Sequence, residues 1–102
     1  MEKTLFREAL GDTPKLRVLE LLITGRGLDY SITDIAEGAE ISRTTLFRIW
    51  KDLLGSGLLV HTRKIGNAKL FKLNMKNPIA RKLSDIYNEI VLKPMEEELT
   101  AR

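Results

Sequence analysis

Cysteine is absent from the 102 residues. Disulfide scaffolds, thiolate metal sites and thiol redox switches are therefore excluded, and an intracellular setting is expected. Histidine occurs once, as His61. Zinc needs three or four protein donors, so His61, on a predicted strand, reads as a surface group or one placed near phosphate, and no metal or cofactor is expected. A nucleophile needs a neighbouring base and an orienting group, and a single histidine among cations supplies neither. Gly25-Arg26-Gly27 lacks the helix-opening spacing and the lysine of a phosphate-binding loop. Nothing in the chain thus points to an enzyme. No apolar run approaches the ~18 residues of a membrane span, and Met1-Glu2-Lys3-Thr4 lacks the apolar core of a signal peptide. The expectation is a soluble, cytoplasmic protein that does not engage membranes. Internal repeats and low-complexity tracts are also missing.

What the chain does have is a globular composition, 43% hydrophobic and 30% charged, at a length that supports one domain with one modest core. Acids are scarce where cations are dense. Between Ser42 and Lys76 stand Arg43, Arg48, Lys51, Arg63, Lys64, Lys69, Lys72 and Lys76 against the single acid Asp52. That is a local balance of +7 in a chain of net charge +3, leaving −4 for the rest. Such polarity attracts polyanions and steers their approach; the alternative is a solvated basic face without a partner.

Capping and breaking residues divide the chain. Thr4 to Leu10 predicts a short leading helix with Leu5, Phe6 and Leu10 apolar, ended by Gly11, for packing or a dimer contact. Asp12-Thr13-Pro14 starts a second helix on which Leu16, Leu19, Leu22 and Ile23 recur at helical spacing, ending near Gly25. Ser31-Ile32 suggests a brief strand. Thr33 then caps a helix holding Ile35 and Ala36 and ending at Gly38, and after Ala39-Glu40-Ile41 the next cap is Ser42. That short connection is of the length that sets two helices at a steep angle.

The helix after Ser42 is amphipathic. Leu46, Ile49, Trp50, Leu53 and Leu54 form its buried stripe, while Arg43, Thr44, Phe47, Arg48 and Lys51 face outward, a set suited to a DNA major groove. Gly55-Ser56-Gly57 stops it. Residues 58–63 and 69–74 read as the strands of a two-stranded hairpin whose tip, Lys64-Ile65-Gly66-Asn67-Ala68, is basic. Asn77-Pro78 opens a last helix on which Ile79, Leu83, Ile86 and Ile90 are spaced four, three, four, widened by Tyr87 and Val91. This seam exceeds the needs of one small core and predicts a partner helix. Lys93-Pro94 should end or kink it, leaving 95–99 as an acidic segment.

Taken with Ile41-Ser42-Arg43-Thr44-Thr45-Leu46, Asp52-Leu53-Leu54-Gly55-Ser56-Gly57-Leu58-Leu59 and Arg63-Lys64-Ile65-Gly66-Asn67-Ala68-Lys69, the span Thr13 to Asn74 resembles the winged helix-turn-helix transcription regulators of archaea and bacteria, in the broad ArsR-like and MarR-like group. The resemblance implies a mainly α fold with a small β-hairpin (α+β). It would comprise a helical extension (1–12), a winged DNA-binding domain (13–76) and an added C-terminal helix for dimerisation (77–102). It implies that the helix from Arg43 enters the major groove, that the wing from Arg63 to Lys69 touches phosphate or minor groove, and that terminal helices pair two copies. The metal-sensing members use cysteines and histidine clusters, which this chain does not have.

Position by position, Ser42, Thr44 and Thr45 can donate to phosphate together with the free amides of the first helical turn, or simply cap. Arg43 and Arg48 can each fork onto guanine or hold phosphate. Phe47 can meet a thymine methyl or pack beneath the wing. Lys51, Arg63, Lys64 and Lys69 suit backbone phosphate, and Asn67 serves the turn or the contact. Trp50 reads as core. The expected partners are double-stranded DNA and a second copy of the chain, with Ile79, Leu83, Ile86, Tyr87 and Ile90 at the dimer seam. An architectural or plasmid-partition DNA binder, and a winged helix that only binds proteins, remain the alternatives. No small-molecule effector can be named from the sequence.

Overall fold

Two threonines start the first two helices. In the structure, a computed structural model describing residues 4–100, the Thr4 and Thr13 hydroxyls accept from the amides of Arg7 and Leu16, each at 3.2 Å. These caps satisfy donors that a first turn leaves orphaned, and they open α1 (Leu5–Leu10) and α2 (Pro14–Thr24). α1 is held by Phe6, which is fully buried with its ring 5.8 Å from that of Tyr87. It is also held by Arg7, whose Nε donates to Glu20 Oε1 at 2.8 Å. Leu5 and Leu10 remain exposed.

The next elements depart from expectation in detail. β1 is Tyr30–Ser31 and α3 is Ile32–Ala39. Ser31, not Thr33, caps α3. Its hydroxyl accepts from the Asp34 amide at 3.1 Å while Asp34 accepts from the Ser31 amide at 3.3 Å, a reciprocal capping box that leaves Thr33 inside the first turn. The helix also passes Gly38, because the left-handed turn falls to Glu40, at φ 57°. Arg17 fixes that turn: Nη1 donates to the Glu40 carbonyl at 3.2 Å, while Nε and Nη2 hold Asp12 at 2.6 and 3.0 Å. The Asp12 hydrogen bond pushes the already high pKa of Arg17 further up.

α4 (Arg43–Gly55) delivers the chain to β2 (Leu59–Ile65) and β3 (Ala68–Leu73). The strands reach closer to the tip than expected, so the turn shrinks to Gly66-Asn67, with Gly66 at φ 59°, a conformation glycine adopts without penalty. The sheet has three antiparallel strands in the order β1-β3-β2, not two, because Tyr30 and Ser31 pair with Phe71 and Leu70. The core lies between this sheet and the helices. It collects Val18, Leu22 and Ile23 of α2, Ile35 and Ala39 of α3, Leu46 and Leu53 of α4, and Phe71 and Leu73 of β3. Ile49 and Trp50 are half-buried against it. Leu54 is 39% exposed, contrary to the predicted stripe. Eight residues beyond Leu46, it is turned about 80° off that line.

Asn77 opens α5 (Pro78–Tyr87), its side-chain oxygen accepting from the Ile79 and Ala80 amides at 2.8 and 3.3 Å. Pro94 does not end the helix. The Lys93 amide reaches back five residues to the Asn88 carbonyl, closing a π turn over Asn88–Leu92. Pro94 then falls second in α6 (Lys93–Thr100), where a missing amide donor is tolerated. Leu83, Tyr87 and Val91 turn inward onto the core, whereas Ile79 and Ile86 stay 55% and 39% exposed. The expected 4-3-4 seam is thus split between two faces. Among the described residues, no helix is long and apolar enough to cross a membrane.

Candidate nucleic-acid interface

Ser42 fixes the start of α4, accepting from the Thr45 amide at 3.0 Å. Its hydroxyl also donates to Thr45 Oγ1 at 2.9 Å, so Thr45, half-buried, is tied to the cap. Arg43, Thr44, Phe47, Arg48 and Lys51 are all exposed along the outward face. Phe47 is 53% exposed. The Arg43 guanidinium carbon lies 5.7 Å from the Phe47 ring centroid, one helical turn on.

The wing is joined to this helix through aromatic rings. Trp50 meets Phe71 edge-on at 4.8 Å, and His61 meets Phe71 at 5.5 Å with the ring planes 63° apart. Trp50 is therefore a half-buried link packed against the core, and His61 of β2 meets the same ring of β3 that Trp50 meets from α4. Asn74 Nδ2 donates to the Gly57 carbonyl at 3.0 Å and Asn77 Nδ2 to the Ser56 carbonyl at 3.2 Å, closing the end of the wing onto the end of α4.

The wing's cations are placed unequally. Lys64 and Lys69 stand directly opposite each other across β2 and β3. Arg63, next to a register shift between His61 and Arg63, is engaged instead. Its Nε and Nη2 donate to Asp29 Oδ2 and Oδ1 at 3.0 and 3.2 Å, and Thr62 donates to Asp29 Oδ2 at 2.7 Å. The Arg63 guanidinium, with help from the Thr62 hydroxyl, holds the Asp29 carboxyl below the usual carboxylate range. Asp29 in turn raises the pKa of Arg63.

Between helix and wing lies a cleft of about 290 Å³ lined by Ser31, Ile32, Thr33, Arg43, Asn67, Ala68 and Lys69. It brings together three residues predicted separately, Arg43 of α4 with Asn67 and Lys69 of the wing. Two hydroxyl residues at the start of α3 join them. Arg48, Lys51 and Lys64 lie outside it. Asp29, Ser31 and Thr33 are the residues that sequence reasoning missed. Ser31 and Thr33 signal only a helix start, and Asp29 meets Arg63 across 34 positions, with no local pattern to announce it. Such a surface can bind an oxyanion by charge and hydrogen bonding. Among the described residues, no group of three or more acidic or imidazole side chains is placed to hold a metal ion.

No protein-family model matches the sequence, and neither does any curated protein. Solved structures do match. The chain superimposes on MepR, a transcription regulator of the Staphylococcus aureus multidrug efflux pump MepA, with a TM-score of 0.64 at 16% identity, covering 94% of this chain and 71% of that one. NadR, solved in complex with 4-hydroxyphenylacetate, gives 0.64 at 25% identity, covering 94% and 67%. Mb0332 from Mycobacterium bovis, a homodimeric winged helix-turn-helix DNA-binding domain and possible ArsR-family regulator, gives 0.57 at 21% identity, covering 96% and 82%. The fold is the winged helix-turn-helix. In its terms α3 and α4 take the places of the helix-turn-helix pair, α4 standing where the fold has its second helix, and β2–β3 take the place of the wing. The likeness to ArsR-like and MarR-like regulators read from the sequence holds at the level of fold.

Proposed function

We propose that this winged helix is a sequence-specific transcription regulator that binds double-stranded DNA as a homodimer, and that it has no enzymatic activity. The recognition helix would lie in the major groove, and the wing, 63–69, on phosphate or minor groove. One observation carries the reading: an outward helix face of Arg43, Thr44, Phe47, Arg48 and Lys51 stands beside a wing that opposes Lys64 to Lys69. Like charges directly opposite in a ladder destabilise a hairpin, and a polyanion laid across them relieves the repulsion. The homodimer is supported by apolar side chains left exposed on the C-terminal helices, Ile79, Ile86, Met95 and Leu99, and by the homodimeric state named for the Mycobacterium bovis domain. Two recognition helices would then meet half-sites about 34 Å apart.

The test is fluorescence anisotropy of labelled duplex pools at several salt concentrations, with the chain and an Arg43→Ala/Arg48→Ala variant. Binding that weakens steeply with salt and is lost in the variant supports the reading. Equal affinity for every sequence would favour an architectural role. No binding at low salt would leave this face to a protein partner.

A further inference from the structure

Phe47 lies in the middle of a polar helix face and is more than half exposed, so core packing does not account for it. It carries the Arg43 guanidinium instead, in the one cation–π contact found among the described residues. Attraction to a ring face spends none of the guanidinium's N–H donors, so the fork stays available to a further partner while the ring limits where it can go. A phosphate contact requires no particular guanidinium plane. A bidentate contact with a base does, because both hydrogen bonds must lie in the plane of that base.

We infer that Arg43 and Phe47 read a single unit of two neighbouring base pairs, a guanine beside a thymine, with Arg43 on guanine O6 and N7 and Phe47 on the thymine methyl. The inference rests on the DNA-binding reading above. Guanine is the base that offers two acceptors to a forked donor in the major groove, and the thymine methyl is the apolar group exposed there. Arg43 and Phe47 touch each other, so they meet adjacent base pairs, about 3.4 Å apart along the duplex, rather than distant ones. Arg48 and Lys51, on the same face without a stacked ring, are left to phosphate.

The experiment selects binding sites from a random duplex pool with the full chain, then alters single atoms of the selected site. Replacing the thymine by deoxyuridine removes only its methyl group and should weaken binding about fourfold, the worth of one buried methyl. Replacing the guanine by 7-deazaguanine should weaken the native chain, while an Arg43→Ala variant should be indifferent to it. In Phe47→Ala, thymine and uracil should bind alike; Phe47→Leu should keep part of the thymine preference. Phe47 is exposed, so both variants should retain the native circular dichroism. A selected site lacking adjacent guanine and thymine overturns the inference, as does a native chain that binds uracil and thymine equally. So does an Arg43→Ala loss that is uniform over all sequences. A pool bound without selection removes the sequence-specific reading, and this inference with it. A pool not bound at all removes DNA binding itself.

Discussion

Asp29 grips Arg63 at two points, Oδ2 to Nε at 3.0 Å and Oδ1 to Nη2 at 3.2 Å, and so ties the base of the wing to the segment that leads into β1. The hydroxyl of Thr62 completes the clasp at 2.7 Å. Arg63 is thereby a positioning residue for the wing before it is a phosphate contact. Because the carboxyl of Asp29 is held below its ordinary value of 3.8, the clasp contributes fully above that pH. It is lost as pH falls through the lowered pKa. Protection factors over β2 and β3, which correct the exchange rates for the pH dependence of free amides, should therefore be unchanged from neutral pH down to about 5 and should fall only below 3.8. Asp29→Asn should show the lower protection throughout the range above 3.8 and should converge with the native chain at acid pH. Equal protection in the two proteins at neutral pH would mean that the clasp does not hold the wing.

Lys64 and Lys69 set stability against binding. With two ammonium groups facing across the ladder, Lys64→Glu should raise hairpin stability by about 0.2–1 kcal/mol through a cross-strand ion pair, and weaken DNA binding at the same time. Lys64→Gln should lower the slope of log affinity against log salt by about 1.8, the signature of two lost phosphate contacts, one from each copy of the proposed homodimer. Thermal melts and salt titrations check the two halves separately. A variant that gains stability and keeps its affinity and slope would remove the wing from the interface.

Much of this architecture is legible in the sequence where a local rule governs it. Thr13, Ser42 and Asn77 each cap the helix expected of them, since a short polar side chain before an apolar-periodic run has few other uses. The rule fails where two candidates compete within one turn: Ser31 and Thr33 both qualify, and Asp34 decides by closing the box on Ser31. It also fails for pairings distant in sequence. A brief strand is expected at Ser31-Ile32, but it forms one residue earlier, and its partner is fixed only when Phe71 and Leu70 pair with Tyr30 and Ser31. The outward face of α4 is readable from periodicity alone, but the Asp29–Arg63 clasp and the cleft beside Arg43 are not, because both join residues far apart in sequence that the fold brings together.

Tyr30 also explains Gly25. A methyl group at Gly25 would lie 1.9 Å from the Tyr30 hydroxyl and 2.9 Å from the ring carbon that bears it. Gly25→Ala should thus cost about 1–3 kcal/mol, the range for forcing an extra carbon into an occupied site. Tyr30→Phe removes the closer of the two obstructions, so the double variant should regain part of the loss. Denaturant unfolding of the four proteins measures this coupling. Strict additivity of the two changes would mean that the clash is relieved elsewhere.

The cap at Ser42 separates folding from recognition. Ser42→Ala removes the acceptor for the Thr45 amide and the donor to its hydroxyl, at a cost of about 1 kcal/mol in stability. The first turn of α4 carries Arg43 and Thr44, so fraying there should reduce DNA affinity even at temperatures where the variant is fully folded. Ser42→Asp restores the capping acceptor but places a negative charge beside the phosphates. Stability should return in that variant while affinity falls further. Affinity that simply follows stability across the three proteins would argue that the start of α4 lies away from DNA.

Leu83 and Ile86 sit one turn apart on α5 and have opposite duties. Leu83 packs onto the core, and truncating it to Ala should cost about 1–2 kcal/mol of stability, less than a fully buried leucine because it is only half covered. Ile86 is exposed, so within one copy its replacement by Glu should change stability by under about 0.5 kcal/mol. If two copies pair through this helix, however, Ile86→Glu and Met95→Glu place unpaired carboxylates in an apolar contact, which is strongly disfavoured. Sedimentation equilibrium should then give a dimer for the native chain and a folded monomer for the double variant. Such a monomer would hold a half-site only weakly, since the second recognition helix no longer acts at high effective concentration. A native chain that sediments as a monomer at micromolar concentration would instead assign the exposed face of Ile79, Ile86 and Met95 to a different partner.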